Sequence, residues 1–519
     1  MSKKNENKSK NNNDNGRDKS GYEDGDDEPA TFICKRGYGI VKGCLEKSDL
    51  NFIRKELTVK PFAPKTSLAK PESFFIFRES KKNIYIPKFY GVENFGEPET
   101  IKIGEGEDID LKFNGSLREV QRPVVEKFLK AAHSVGGGLL ELHTGFGKTC
   151  CALNIISQLK KKTLIIVHKE FLLRQWVERI EQFLPDAKVG RIQGKILDVE
   201  GKDIVIGMLQ SLSMKEYDLK LFRPFGLTVI DECHHISAEV FSRSLLKIVT
   251  KYTLGLSATM KRKDGLTHVI KKFLGEIVYT KHREGKDKVL VKVIEYYNSD
   301  DDYSRTELNW KGQVHYSKMI KKICEFNRRS EFILDVLNHT LENGDDDIQV
   351  MILGHNRNLL TYLHDAIEHR KMASVGYYVG GMKEAALKES ESKRVVIATY
   401  AMAEEGLDIK SLNTLIMATP KVDVTQAVGR ILRKKESNAL VIDIVDQHAL
   451  FERHWGKRRA FYRKQNFEIK KTHMTGYLKD DWTDESKRGK RNSNKNKSNN
   501  KSKKENENEI LFDMDDMFE

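Results

Sequence analysis

Two long stretches of the chain alternate short apolar runs with segments of helical period. Leu139 to Leu142, Thr163 to Val167, Asp203 to Gly207, Leu227 to Asp231 and Tyr252 to Ser257 read as strands, and Cys150 to Leu159 and Phe171 to Phe183 between them read as helices. Strands that are apolar throughout, rather than at every second position, belong to a parallel sheet with helices on both faces. A second series follows. Phe332 to Leu341 and Leu359 to Ile367 read as helices, and Ile348 to Leu353, Arg394 to Thr399, Thr414 to Ala418 and Ala439 to Asp443 as strands. The expected fold class is therefore α/β, with two tandem parallel-sheet lobes.

Ahead of the first lobe the pattern changes. Phe32 to Cys34, Gly39 to Val41, Phe74 to Phe77 and Asn83 to Pro87 are short β-type runs around a charged helix-like piece at Leu50 to Leu57, which predicts a small α+β module. Glu97 to Asn114 reads as an acidic, glycine-containing connector. Residues 1–30 are rich in Asn, Lys, Asp and Gly and hold too little apolar surface to offset the entropy of ordering. The expected organisation is a disordered tail at 1–30, an accessory module at 31–112, a first lobe at 113–285, a second at 286–470, and a disordered tail, basic then acidic, at 471–519.

Composition narrows the function classes. Ninety Lys and Arg against 76 Asp and Glu give a net charge of +14, which suits a polyanionic partner such as nucleic acid. Part of the excess sits in Lys487 to Lys504, which holds nine basic residues and no acid, so solvated tails share the charge. The six cysteines form no Cys-x-x-Cys pair, and the neighbours His234 and His235 lack further spaced ligands. A disulfide framework and a zinc site are not expected, and the chain reads as reduced and intracellular. It has no apolar stretch of the roughly 18 residues a membrane span needs and no secretory signal. Cytoplasmic synthesis is expected, and the basic run is only a weak nuclear signal.

Candidate chemistry gathers where the apolar runs end, because ligands of parallel sheets bind at the carboxyl ends of the strands. The first run breaks into His143-Thr-Gly-Phe-Gly-Lys-Thr149, a strand, phosphate loop and helix in which Gly145 and Gly147 allow a tight turn. There Lys148 would reach the outer phosphates of a nucleotide and Thr149 would ligate Mg²⁺. Asp231-Glu232 ends another run, placing a carboxylate for Mg²⁺ beside one that can orient and deprotonate water. The alternative is a helix cap. Ser257-Ala-Thr259 ends a third run, where small hydroxyls can switch partners when a phosphate leaves. Gln121, ahead of the loop, could offer its amide to an adenine edge or be an ordinary helix residue.

In the second lobe, Gln426-Ala-Val-Gly-Arg430-Ile-Leu-Arg433 sets two guanidiniums three apart on one helix face, suited to a triphosphate across a cleft. Phe451 to Phe467 interleaves Arg458, Arg459, Arg463 and Lys464 with Trp455, Phe461 and Tyr462, a pattern open to nucleic-acid stacking or to docking on a core. The ending Ile510 to Glu519 spaces hydrophobic residues among acids, open to partner binding or to plain tail.

Taken in order, Gln121, the Gly145 to Thr149 loop, Asp231-Glu-Cys-His, Ser257-Ala-Thr, Glu405-Gly-Leu-Asp408 and Gln426-x-x-Gly-Arg-x-x-Arg433 resemble the superfamily 2 DEAH/DExH-box helicases over about Leu117 to Arg433. Arg174-Gln-Trp176, Ile206 to Leu212 and Ser257 to Gly265 resemble the branch of the excision-repair and transcription-factor DNA helicase. Lys35 to Lys42, Leu57 to Pro61 and Tyr85 to Gly91 resemble the poxvirus transcript-release helicase and its relatives in large DNA viruses. Cys233 stands where the commonest signature has alanine, and Leu142 replaces the usual first glycine of the phosphate loop.

The resemblance implies RecA-like lobes. It also implies that Gln121, His143, Thr144, Gly145, Phe146, Gly147, Lys148, Thr149, Gly406 and Asp408 bind ATP, and that Thr149 and Asp231 hold Mg²⁺. Lys148, Asp231, Glu232, Gln426, Arg430 and Arg433 would be catalytic. Ser257 and Thr259 would couple hydrolysis to unwinding, and Thr399 would touch the nucleic-acid backbone.

The function expected first is an ATP-dependent helicase or translocase, on DNA rather than RNA, in viral-type transcript release or in repair. A transcription-machinery partner is expected at residues 510–519, and the place of action would be cytoplasmic, a viral factory or a virion, with the nucleus left open. An RNA helicase and a non-catalytic nucleic-acid or polymerase-binding scaffold are the alternatives.

Overall fold

The computed structural model describes residues 29–62, 71–234, 238–260, 262, 264–282, 288–345, 347–405, 409, 411–431 and 439–486. Gly406, Asp408, Arg433, the basic run and the acidic segment at 510–519 lie outside the described residues.

The first lobe is an eight-stranded sheet in the order Ile196–Leu197, Val189–Gln193, Ile204–Met208, Thr163–Val167, Leu227–Ile230, Tyr252–Ser257, Gly137–Leu142, Ile277–Lys281. Its neighbours are parallel except for the first pair. The inner strands are buried on both faces, which is why they read as unbroken apolar runs. The register sets Ser257 against Glu141 and Ile230 against Gly255 and Ile166, so the three strand ends with candidate chemistry lie side by side.

The second lobe repeats the plan in the order Val375–Tyr378, Val395–Thr399, Val350–Gly354, Thr414–Met417, Ala439–Asp446, Val289–Tyr296, Glu468–His473, Thr483–Asp484, antiparallel only at the last pair. The last two strands carry the described fold to residue 486, past the point expected for the start of the tail. Glu468–His473 buries only Ile469 and Thr472, and its Lys471 pairs with Glu295 at 2.6 Å, so a strand this polar reads in sequence as tail.

Two buried ion pairs stiffen this lobe where it matters. Arg329, with no exposed surface, donates to Asp446 at 2.5 and 2.7 Å, Tyr303 donates to the same carboxylate at 2.9 Å, and the third Arg329 bond goes to the Ala418 carbonyl at 2.8 Å. Arg458 donates twice to Asp443 at 2.8 Å and to the Lys421 carbonyl at 2.6 Å. Both arginines thus hold the loop after Thr414–Met417, which leads into helix Thr425–Ile431 with its candidate site residues. Removing one partner of such a pair strands the other charge. Arg329→Ala is expected to cost about 3 to 5 kcal/mol in urea unfolding, whereas a cost under about 1 kcal/mol would mean that Asp446 finds water or another donor.

Helix Ala449–Lys464 settles the two readings of its basic and aromatic residues. Trp455, Arg458 and Tyr462 are buried, and Arg459 and Arg463 engage Glu485, so it docks on the core.

The N-terminal module is a five-stranded sheet in the order Arg78–Glu79, Asn83–Ile86, Gly37–Val41, Thr31–Cys34, Thr100–Ile101, with helices Lys47–Glu56 and Lys88–Phe95. Its core residues Tyr38, Ile40, Ile84 and Tyr90 are continuous with Leu139, Ile166, Ile230 and Leu274 of the first lobe. Lys272 fastens the junction, bonding Glu56 at 2.7 Å with its ammonium over the Tyr90 ring.

The acidic connector lies along the same lobe as a clasp. Glu107, Asp108 and Asp110 pair with Lys162, Lys161 and Lys160 at 2.8, 2.8 and 2.9 Å, and Glu105 pairs with Lys251. Gly106 (φ +78) runs so close to Gly226 that a Cβ would sit 2.2 Å from its backbone nitrogen. No helix among the described residues is long and apolar enough to cross a membrane.

Candidate active site

Strand Gly137–Leu142 ends at His143, and the chain turns through Gly145 (φ +82) and Gly147 (φ +90) into helix Lys148–Leu159. Left-handed backbone at both positions calls for glycine, and no atom lies within 4 Å of a Cβ built on Gly145. The loop therefore keeps an open concave side at a helix N-terminus, the environment an anion favours. His143 and Phe146 brace the loop, edge to face, with Phe146 buried.

Gln121, 3% exposed, accepts from the Arg118 N–H and donates to the Phe146 carbonyl, each at 2.9 Å. Arg118 donates to the same carbonyl. The amide expected at an adenine edge is thus engaged with the phosphate loop in this structure.

Strand Leu227–Ile230 delivers the acidic pair. Asp231 is buried, its carboxylate accepting from Trp176 Nε1 at 2.9 Å and from the Glu232 N–H at 3.0 Å. Burial and, next, the Glu232 charge push its pKa up to about 6, against the pull of Lys148 and the Trp176 bond. Glu232 has φ +46, an uncommon backbone for a residue with a side chain, and it aims its carboxylate at the loop. Lys148 Nζ donates to Glu232 Oε1 at 2.8 Å.

His234 joins this pair to two other motifs. Its Nδ1 is 2.7 Å from Ser257 Oγ and 3.4 Å from Glu232 Oε2, and its Nε2 is 3.4 Å from Gln426 Nε2. Ser257 Oγ donates to the Thr259 carbonyl at 2.5 Å and accepts from the Thr259 N–H at 3.2 Å. With the hydroxyl hydrogen so placed, Nδ1–H donates to Ser257 and the bare Nε2 accepts from the Gln426 amide, a tautomer assigned from the network. Arg262 supports the histidine from behind, donating to its carbonyl at 2.8 Å. One imidazole therefore touches the candidate water-activating carboxylate, the candidate coupling hydroxyl and the second lobe. His234→Ala is expected to leave unstimulated hydrolysis within a few fold but to lower strand separation per ATP about tenfold, the size of a typical coupling free energy. Equal losses in both activities would show a structural role only.

Thr144, Gly145, Gly147, Lys148, Thr149, Asp231, Glu232 and Arg430 all line one cleft of about 1050 Å³ between the lobes. The lobes meet closely there: a Cβ on Gly429 would stand 3.3 Å from Thr144 Cβ, and Lys388–Glu178 and Arg174–Glu384 cross at 3.1 and 3.9 Å. Thr399 stands apart, at the end of its own strand in the second lobe. Residue types alone did not single out the bond of Trp176 to Asp231, Arg118 or the bridging role of His234. Each depends on a long-range neighbour that no local spacing reveals.

Fold and cleft define a class, the two-lobed phosphate-loop proteins with facing walls from two parallel sheets. Residues 114–262 match the family described as "Type III restriction enzyme, res subunit". The chain is 35% identical to a "Putative ATP-dependent RNA helicase" of Acanthamoeba polyphaga mimivirus, over 88% of this chain and 90% of the relative. It is 26% identical to a "Putative helicase" of Invertebrate iridescent virus 6, covering 77% and 92%. A "Putative ATP-dependent RNA helicase" of African swine fever virus (strain Badajoz 1971 Vero-adapted) is 28% identical, covering 68% and 74%.

Among solved structures, T4 UvsW matches with a TM-score of 0.31 at 17% identity, over 83% of this chain and 96% of that one. The ATP-dependent Type ISP restriction-modification enzyme LlaBIII bound to DNA matches with a TM-score of 0.49 at 16% identity, over 70% and 32%. The chain belongs to the superfamily 2 helicases, and with them it is an ATP hydrolase that works on nucleic acid.

Proposed function

We propose that this chain is an ATP-driven translocase that pulls on one strand of DNA, in transcript release or in repair. The observation that carries the reading is the cleft itself, with Lys148, Thr149, Asp231 and Glu232 on one wall and Arg430 on the other. Hydrolysis on such a site depends on closure of the lobes, and closure and reopening give movement.

The residues fit ATP and Mg²⁺. The loop is open where an anion would sit, and Asp231 is a buried carboxylate disfavoured as a bare anion, a charge that a divalent cation would compensate. Thr149 and Asp231 are proposed to hold Mg²⁺, and the phosphate loop to hold ATP with Lys148. ATP supplies the γ-phosphoryl group and a charge that competes with Glu232 for Lys148. As Lys148 turns from Glu232 to the phosphates, the carboxylate becomes free to orient a water and take its proton. Arg430, with Arg433 proposed beside it, stabilises charge from the opposite wall, and Gln426 reports closure to His234 and through it to Ser257 and Thr259. Gln121, Gly406 and Asp408 complete the proposed nucleotide contacts, and Thr399 the proposed contact with the nucleic-acid backbone.

DNA is favoured by the resemblance of the front module to the transcript-release helicase, beside that of Arg174 to Trp176, Ile206 to Leu212 and Ser257 to Gly265 to a DNA helicase branch. The second reading, an RNA helicase, is supported by the names of the mimivirus and African swine fever virus relatives. Membership of an ATP-hydrolysing family sets the scaffold aside. Residues 510–519 are proposed to engage the transcription machinery, and the place of action is proposed to be cytoplasmic, at a viral factory or in a virion. Strand displacement from tailed DNA duplexes and from RNA duplexes of the same sequence tests the choice. ATP-dependent release from DNA is expected, and release from RNA alone would replace this reading by the second.

A further inference from the structure

Between strand Val289–Tyr296 and helix Tyr316–Glu325 the second lobe projects a short finger. Leu308 and Val314 form an antiparallel bridge, His315 N–H donates to the Glu307 carbonyl at 2.8 Å, and Asn309 N–H to the Gln313 carbonyl at 2.7 Å. At the tip, Asn309 Oδ1 accepts from the N–H groups of Lys311 and Gln313 at 2.9 and 3.0 Å. At the root, Lys322 bonds Glu307 at 2.9 Å and the Arg305 carbonyl at 2.7 Å. The finger is thus fastened at both ends.

What it holds out is Trp310, 81% exposed, with Lys311 Nζ 4.6 Å from the ring centroid. Of the four tryptophans in the chain, Trp176 and Trp455 are buried and Trp482 packs on Tyr477 beneath Lys292. Trp310 is thus the tryptophan whose ring stays open to solvent and to a flat ligand.

The chemistry of the tip selects one. With only half-exposed Leu308 near it, the ring offers too little surface for an apolar protein interface, but a ring stacks on a nucleobase of any sequence while the cation meets the adjoining phosphate. Position agrees: the finger leaves the carboxyl end of Val289–Tyr296, and in a parallel arrangement that edge also carries Thr399 and the loop leading to Arg430.

We propose that Trp310 and Lys311 form a stacking site for an unpaired base, placed to hold one strand of an opened duplex. The proposal rests on the reading of the chain as a nucleic-acid motor. The test titrates the full chain, as wild type, Trp310→Phe and Trp310→Ala, with a dye-labelled single-stranded oligonucleotide followed by anisotropy, and with the unlabelled strand followed by tryptophan emission. Wild type is expected to bind and to lose its red-shifted emission, both variants to lack that quench, and Trp310→Ala to bind about tenfold more weakly, with Trp310→Phe close to wild type. Hydrolysis without nucleic acid should be unchanged in both, which shows that they fold. Equal binding by Trp310→Ala, or the same quench in all three proteins, overturns the stacking site while leaving the motor intact. Absence of binding by wild type overturns both.

Discussion

Arg430→Ala is expected to lower ATP turnover by about 10³- to 10⁵-fold, the range for loss of an arginine that stabilises charge in phosphoryl transfer. The expectation follows from how the second lobe presents this side chain. Buried Arg329 and Arg458 fix the carbonyls of Ala418 and Lys421, the chain between them leads into helix Thr425–Ile431, and Gly429 of that helix abuts Thr144 of the phosphate loop. Arg430 therefore enters the cleft from a braced element, opposite Lys148 and Glu232. Arg430→Lys should rescue little, because a point charge does not reproduce a planar fork. Nucleotide binding, followed with a fluorescent ATP analogue, should weaken far less than turnover. A loss of turnover under about tenfold would give the role to another residue.

Glu232→Gln is expected to lower turnover about 10²- to 10⁴-fold, the usual contribution of a general base. Glutamine keeps the shape and cannot take a proton. The same change should tighten ATP binding, because in the ground state Lys148 is paired with the Glu232 carboxylate at 2.8 Å, and that pair competes with the phosphates. A fall in turnover with a fall in KM would carry the signature. Loss of turnover with a matching rise in KM would instead mean that Glu232 merely positions Lys148.

How much of this was legible in the sequence follows from what local patterns encode. The inner strands were readable because burial on both faces leaves them apolar at every position, and the phosphate loop because its glycines mark left-handed backbone. Strands next to the sheet edges, such as Val189–Gln193 and Glu468–His473, are half solvated and polar, so their pattern matched loop or tail. The connector read as a linker because its acids find partners only after Lys160, Lys161 and Lys162 are placed by the fold. The basic and aromatic helix was ambiguous for the same reason: Arg458 looks like a phosphate ligand until Asp443 is seen beside it. Within the site, the motif residues could be named from their order. That Gln121 holds the phosphate loop, and that one histidine joins three motifs, required the long-range packing.

Hydrolysis in the cleft is expected to be tied to nucleic acid. Steady-state ATP hydrolysis by the purified chain, without nucleic acid and with single-stranded DNA, duplex DNA, single-stranded RNA or duplex RNA, tests it most directly beside Glu232→Gln. Strong stimulation is expected, largest with DNA and abolished in the variant. A rate that no polynucleotide raises and that the variant shares would contradict it.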